Sequence, residues 1–416
     1  MSKKIKVFVI SDHPFSPSGV GIQTRYMIEG LLETGDYQFI CFGGAVKHSD
    51  YTPVKTDKWG DDLIVYPVDG YGTQDSVRSI LMNDKPDMLW FMTDPRFYAW
   101  LWEIEDEIRS LIPMVYYHVW DNYPYPTYNK IWYDSCDHIA CISKLTHDIV
   151  STVAPDVECS YHPHAVDNKI FKPVERSESN ELRQKTGLDP DKFVIFWNSR
   201  NARRKHSGTL IFWFNKFLDK VGRDKAQLIM HTDPDDVNGP NLMAIASHLD
   251  LLNGQVQFSR NKLEFEQLAS LYNMSDVTVN ISDAEGFGLS ALESLSCGTP
   301  IVVTMTGGLQ DQVKDGDDWY GIGLEPVSKS IIGSQQIPFI YEDRLNEDDF
   351  INALEKIYNM SKEERDEWGK KAREHVMKNF SFDKYRETWD IKLKEIYKKH
   401  GPWGSKKEKQ WELLEV

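Results

Sequence analysis

Short runs of β-forming residues alternate with stretches of helical spacing along most of this chain, and that alternation restricts its fold more than any other feature. A first series of apolar runs lies at 5–10, 38–42, 88–92, 114–118, 138–142 and 158–162. A second lies at 193–197, 227–231, 256–258, 277–281 and 300–304. Between the first two runs, Ile22, Tyr26, Met27, Ile28, Leu31 and Leu32 recur at the helical period; segments 208–220, 242–251, 263–274 and 289–296 separate the later runs in the same way. Strands joined through helices cross over and pair in parallel, with helices covering both faces of the sheet. The expected class is α/β, with two Rossmann-like halves, a cleft between them and ligands at strand C-termini. The polar, charged stretch 172–190 lacks sustained apolar periodicity and reads as an interdomain linker. After Asp348 the pattern is almost wholly helical, with Leu354, Ile357 and Tyr358 on one face. The expected domains are 1–172 and 173–385. A helical tail, 386–416, is expected to return toward the first domain, with Pro402 and the basic run 406–409 at its periphery.

At 416 residues the chain is long enough for two domains with sizeable cores. No apolar run approaches the roughly 18–20 residues of a membrane span, and the first one, at 7–10, is too short for a signal-peptide core. No integral membrane association is expected. The net charge of −16 disfavours nucleic acid and anionic membrane as non-specific partners. Cys41, Cys136, Cys141, Cys159 and Cys297 form no CxxC pair and no even framework, so free thiols in a reducing, cytoplasmic setting are expected.

The segment 285–303, EGFGLSALESLSCGTPIVV, carries the strongest chemical signal. A buried strand ends near Asp283; Glu285-Gly286-Phe287-Gly288 forms a glycine-rich turn; a helix follows from Leu289; Gly298 and Pro300 stop it before the next strand. Such a unit aims free backbone N–H groups and a helix N-terminus at one spot, which suits a phosphate. Glu285 before the turn and Glu293 one helical turn in flank that spot, and carboxylates accept hydrogen bonds from sugar hydroxyls. Upstream, Asn198-Ser-Arg-Asn-Ala-Arg-Arg-Lys205 leaves a predicted strand with Arg200 and Lys205 as candidate phosphate ligands. Ser16-Pro-Ser-Gly-Val-Gly-Ile-Gln-Thr24 follows the first strand, and Gly19 and Gly21 there permit close backbone approach. Thr24 stands where a GxGxxG fingerprint needs its third glycine. His118 ends a predicted strand, and Trp120, Tyr123 and Tyr125 follow in a loop that offers aromatic faces to an acceptor. His162 and His164 have no third metal ligand at suitable spacing, and Asp233-Pro-Asp235 and Asp315-Gly-Asp317 read as loops rather than metal sites.

Taken together, Glu285 and Glu293 within Gly-Phe-Gly-Leu and Cys-Gly-Thr-Pro surroundings resemble the acidic motif of family 4 retaining glycosyltransferases. That resemblance implies the GT-B fold, two facing Rossmann-like domains with the nucleotide sugar bound mainly to the second. It also implies that Arg200 and Lys205 embrace the diphosphate, that Glu285 holds donor-sugar hydroxyls, and that Glu293 holds the ribose. Phe287, Gly288 and Leu289 would supply the phosphate-binding turn, the Gly19–Gly21 loop would approach the phosphates, and His118 would reach the donor sugar. His162-Pro-His164-Ala-Val-Asp167, leading to Phe171-Lys-Pro173, resembles the family's interdomain element, with Ala165 where glycine is usual. The implied reaction is metal-independent, with no cofactor beyond a donor such as a UDP- or GDP-sugar. A glycan or small-molecule hydroxyl is the favoured acceptor. Transfer to hydroxymethylated bases in DNA, a phosphorylase or epimerase using the same cleft, and a non-catalytic nucleotide-sugar-binding protein stay open.

Overall fold

The computed structural model describes residues 3–405; the basic run 406–409 lies outside them. The described chain divides into two compact units, 3–165 with 382–405, and 166–381. The first division therefore falls at 165/166 rather than 172/173, and the second at 381/382 rather than 385/386.

Unit 1 is built on eight strands: β1 (Ile5–Asp12), β2 (Tyr37–Gly44), β3 (Val54–Lys55), β4 (Leu63–Pro67), β5 (Met88–Met92), β6 (Met114–His118), β7 (His138–Cys141) and β8 (Cys159–Tyr161). They lie in the order β3-β4-β2-β1-β5-β6-β7-β8. Neighbours pair in parallel except β3 with β4. β1 is buried at every residue but Lys6, as a central parallel strand covered on both faces requires. The helix Phe382–His400 belongs to this unit: Trp389 packs against Trp90 and Tyr117, and Tyr385 donates to the Gln23 carbonyl.

Unit 2 carries β9 (Phe193–Asn198), β10 (Ala226–His231), β11 (Val256–Ser259), β12 (Val277–Asn280), β13 (Ile301–Thr304) and, after the short pair β14 (Lys314–Asp315) and β15 (Asp318–Trp319), β16 (Ile322–Leu324). The sheet order is β11-β10-β9-β12-β13-β16, all parallel. Its core joins Phe193, Ile195 and Trp197 to Leu210, Phe214 and Phe217 of the helix Ser207–Val221 and to Phe350, Leu354 and Ile357 of the helix Glu347–Asn359. Each such side chain contributes about 1.5–3 kcal/mol when fully buried. An antiparallel hairpin, β17 (Ser328–Ile332) and β18 (Ile340–Arg344), is inserted after the sheet.

Two features depart from the sequence reading. The stretch 172–190 is no open linker: it holds the helix Arg176–Lys185, packed onto unit 2. Its buried anchor is Arg183, whose guanidinium meets the Met274 carbonyl and Asp276, so polar bonds replace the apolar stripe that periodicity detects. β4, β16 and the hairpin were also illegible, because each is short or buries only part of one face.

Candidate active site

In each sheet the chain builds outward from one strand and then returns to that strand's other side. In unit 2 this switch lies between β9 and β12, and the loops leaving their carboxyl ends flank one position. The loop after β9 closes in a 3-10 turn at Arg203–Lys205 and turns through His206, which holds a left-handed φ of 53°. The loop after β12 ends at Gly288, φ 89°, which caps the helix Leu289–Ser296 without any side-chain hydrogen bond. A Cβ at Gly288 would lie 2.4 Å from Leu309 Cδ2, so both backbone angle and space demand glycine there. The Asp283 amide donates to the Arg204 carbonyl at 2.9 Å, tying the two loops together.

The charged groups on these loops interlock. The Lys205 ammonium, with its side chain only 9% exposed, donates to Glu285 Oε2. Arg204 lies 4.0 Å from the same oxygen and donates to the Ala284 carbonyl. Burial alone raises the Glu285 carboxyl; Lys205 and Arg204 outweigh it and hold its pKa below the ordinary value. Asp283, 1% exposed, meets His206 Nε2 and, at 2.5 Å, Arg344 of β18. Arg344 also binds Glu342 at 2.5 Å, and Glu342 receives Arg203. The hairpin is thus latched to the cationic loop through two carboxylates. Sequence reasoning left Arg203 and Arg204 unassigned and missed Asp283, His206, Glu342 and Arg344. The hairpin residues lie far along the chain and carry no motif.

Glu293 stands apart from this cluster. Tyr272 donates to its Oε2 at 2.6 Å, and Asn198 Nδ2 donates to the Tyr272 hydroxyl at 2.9 Å. Burial pushes the Glu293 carboxyl up to about 7, with the Tyr272 bond opposing the rise. Asn198 also lines a hollow of about 350 Å³ at the ends of β9, β10 and β11, with His231, Arg260 and Lys262 among its walls. Arg200 borders that hollow but is exposed and paired with Asp236 at 2.7 Å, holding that carboxyl well below the usual carboxylate range. Lys205 and Glu285 are therefore brought together directly, whereas Arg200 sits in a separate ion pair. Phe287 is buried against Phe380, and its carbonyl accepts from Gln312.

In unit 1, Gly19 opens the helix Gly19–Leu32, and Ser18 caps it by accepting from the Gly21 amide at 2.9 Å. A Cβ at Gly21 would lie 2.2 Å from Ser16 Oγ, so the turn itself accounts for that glycine. Ser18 donates to Asp12 at the end of β1 at 2.5 Å, and Tyr71 donates to Asp12 as well. His118 is fully buried with Nε2 2.7 Å from the Tyr133 hydroxyl; burial drives its pKa down to about 3, so its ring is neutral. Trp120 is also buried, between His118 and Tyr128, and its face is not open for stacking. Tyr123 and Tyr125 are nearer the surface and both donate to Asp148. His162 and His164 are buried, the first stacked on Trp389 and the second bonded to Tyr117. Gln23 satisfies both the amide and the carbonyl of Ala165, the residue that stands where glycine is usual. Among the described residues no group of three or more His, Cys, Asp or Glu is placed to hold a metal ion, and no helix is long and apolar enough to cross a membrane.

Two doubly wound, mainly parallel sheets, each with a switch point, give the chain the GT-B fold. Sucrose-phosphate synthase from Thermosynechococcus elongatus superposes with a TM-score of 0.74 at 16% identity, over 95% of this chain and 100% of that one. HepE from Anabaena, solved with UDP and glucose, gives 0.68 at 14% identity over 94% and 100%. Residues 178–375 match the family described as glycosyl transferases group 1. D-inositol 3-phosphate glycosyltransferase of Paenarthrobacter aurescens is 32% identical over 175 residues, which span 41% of this chain and 40% of that protein.

Proposed function

We propose that the protein is a retaining glycosyltransferase that moves a sugar from a nucleoside-diphosphate sugar to an acceptor hydroxyl. The observation that carries this reading is the Lys205–Glu285 pair at the β9/β12 switch point, beside an uncapped helix N-terminus. As the glycosidic bond to phosphate breaks, negative charge grows on the leaving diphosphate. Lys205, Arg204 and the amides at the start of the helix Leu289–Ser296 stabilise it there without a metal. Glu285 accepts hydrogen bonds from donor-sugar hydroxyls. Glu293, oriented by Tyr272, accepts from the ribose, and the base occupies the hollow beside Asn198 and Arg200. Asp283 is buried and held by His206 and Arg344, so it is not placed to attack the anomeric carbon. Transfer is therefore assigned to one face of the sugar: the acceptor oxygen bonds to the anomeric carbon, the bond to phosphate breaks, and the acceptor proton passes to the leaving phosphate oxygen. HepE's complex with UDP supports a uridine donor, and a glycan or small-molecule hydroxyl is the acceptor class assigned.

The test is a panel of UDP-, GDP- and ADP-sugars screened by thermal shift, followed by mass spectrometry of transfer and of slow donor hydrolysis in EDTA. One donor should stabilise the protein and be consumed without metal. Turnover lost in EDTA and restored by Mn²⁺ would contradict the electrostatic assignment, and binding without any consumption would leave a binding protein instead.

A further inference from the structure

The amino end of the unit 2 sheet, opposite the end that carries Lys205, holds a cavity of about 400 Å³. Its floor is the entry to β12 and β13, at Ser275, Asp276, Thr299 and Pro300, and its walls are the starts of the helices Arg176–Lys185 and Lys362–Asn379. Six Arg or Lys side chains line it against three carboxylates, in a chain whose overall charge is strongly negative. Three of the six have carboxylate partners: Arg183 and Arg365 share Asp276, at 2.9 and 3.3 Å, and Arg176 reaches Glu363 at 3.3 Å.

The other three do not. Arg373 is half-buried and donates only to the carbonyls of Asn168, Phe171 and Ser296 and to the Ser296 hydroxyl, at 2.5–2.8 Å. Burial lowers its pKa, the mark of a cation whose lost hydration no anion replaces. Lys362 and Lys370 are exposed at the mouth, and no carboxylate lies within ion-pair distance of either among the described residues. The helix Arg176–Lys185 adds to this field, since no side chain caps it at Glu175. Asn180, Ser179 and Thr299 supply neutral hydrogen-bonding groups on the same walls.

We propose that this cavity binds a phosphate-bearing small molecule, separate from the donor site. A guanidinium with no carboxylate partner and two free ammonium groups suit a phosphate's charge and its several acceptor oxygens. The volume falls in the range of organic-ligand pockets rather than that of a lone inorganic anion, and the neutral polar groups suit hydroxyls attached to the phosphate.

Because the proposed function places phosphates at Lys205, at the other end of the sheet, the test uses the full chain carrying Lys205→Ala. Ribose 5-phosphate, inorganic phosphate and free ribose are titrated by calorimetry, with hydrogen exchange locating the bound probe. Ribose 5-phosphate should bind one to one, tighter than inorganic phosphate, and free ribose should not bind. Exchange should slow in 172–180 and 362–373. Adding Lys362→Ala and Lys370→Ala, both surface changes that leave the packing intact, should weaken binding at least tenfold. Binding that survives this triple variant, that disappears with Lys205→Ala alone, or that no phosphate shows, overturns the proposal. None of these results depends on the assignment of glycosyl transfer.

Discussion

Replacing Glu293 by Gln isolates the one carboxyl in the site whose ionisation opposes the fold. Its pKa is 4.5 in an unconstrained chain and about 7 in the folded protein, because burial penalises the charged form more than the Tyr272 bond stabilises it. Between these two values the folded protein retains a proton that the unfolded chain has released, so stability falls as pH rises. At about 1.4 kcal/mol per tenfold change, the full span is about 3 kcal/mol, present below pH 4.5 and lost by the time pH passes 7. Glutamine cannot ionise and escapes that loss. Urea unfolding of Glu293→Gln and wild type, compared at each pH so that all other titrations cancel, should show the variant gaining about 3 kcal/mol relative to wild type from pH 4.5 to 7.5. A difference that stays flat across this range, or that favours wild type at pH 7.5, refutes the reasoning. The same proton governs ligand binding under the proposed function. A ribose hydroxyl donates best to the carboxylate, so wild-type affinity for UDP should rise through pH 7, whereas the variant's affinity stays level. Tyr272→Phe removes the bond that opposes the rise and should move the wild-type transition to still higher pH.

Lys205→Ala leaves Glu285 with Arg204, at 4.0 Å, as its remaining cation and should cost about 3 kcal/mol of stability. Lys205→Met with Glu285→Gln should recover most of that stability in urea unfolding yet leave turnover depressed, since the leaving diphosphate still lacks its cation; recovery of both would remove the pair from catalysis. Gly288→Ala forces a side chain into a left-handed turn against Leu309 and should destabilise by about 1–3 kcal/mol; an unchanged melting temperature would show that the loop relaxes freely. Arg344→Ala should destabilise by about 2–3 kcal/mol because it strips a partner from both Asp283 and Glu342, and Arg344→Lys should restore only part, as one ammonium cannot span both carboxylates. Full restoration by lysine would mean that charge alone matters there.

Most central strands were legible because a parallel strand covered on both faces must be apolar nearly throughout, as β1, β9 and β13 are. The helix Leu289–Ser296 was legible at both ends, where Gly288 and the Gly298–Pro300 stop leave local marks that do not depend on the rest of the chain. The helix Arg176–Lys185 was not, because its anchor is an arginine satisfied by polar groups brought from Met274 and Asp276.

The amino-acid sequence by itself determined the α/β class and the glycine turn at 285–289, and it singled out Lys205, Glu285 and Glu293 as candidate site residues through short-range spacing, residue chemistry and the family resemblance. Only the tertiary structure decided which charges meet. Pairing depends on distance in space, and the switch point brings Lys205 to Glu285 across about eighty residues of chain while Arg200 turns to Asp236. The ion pairs of the hairpin's Arg344, Glu293's raised pKa and the lack of a carboxylate beside Arg373 belong to the same category, because burial and counter-ions exist only once the chain has folded.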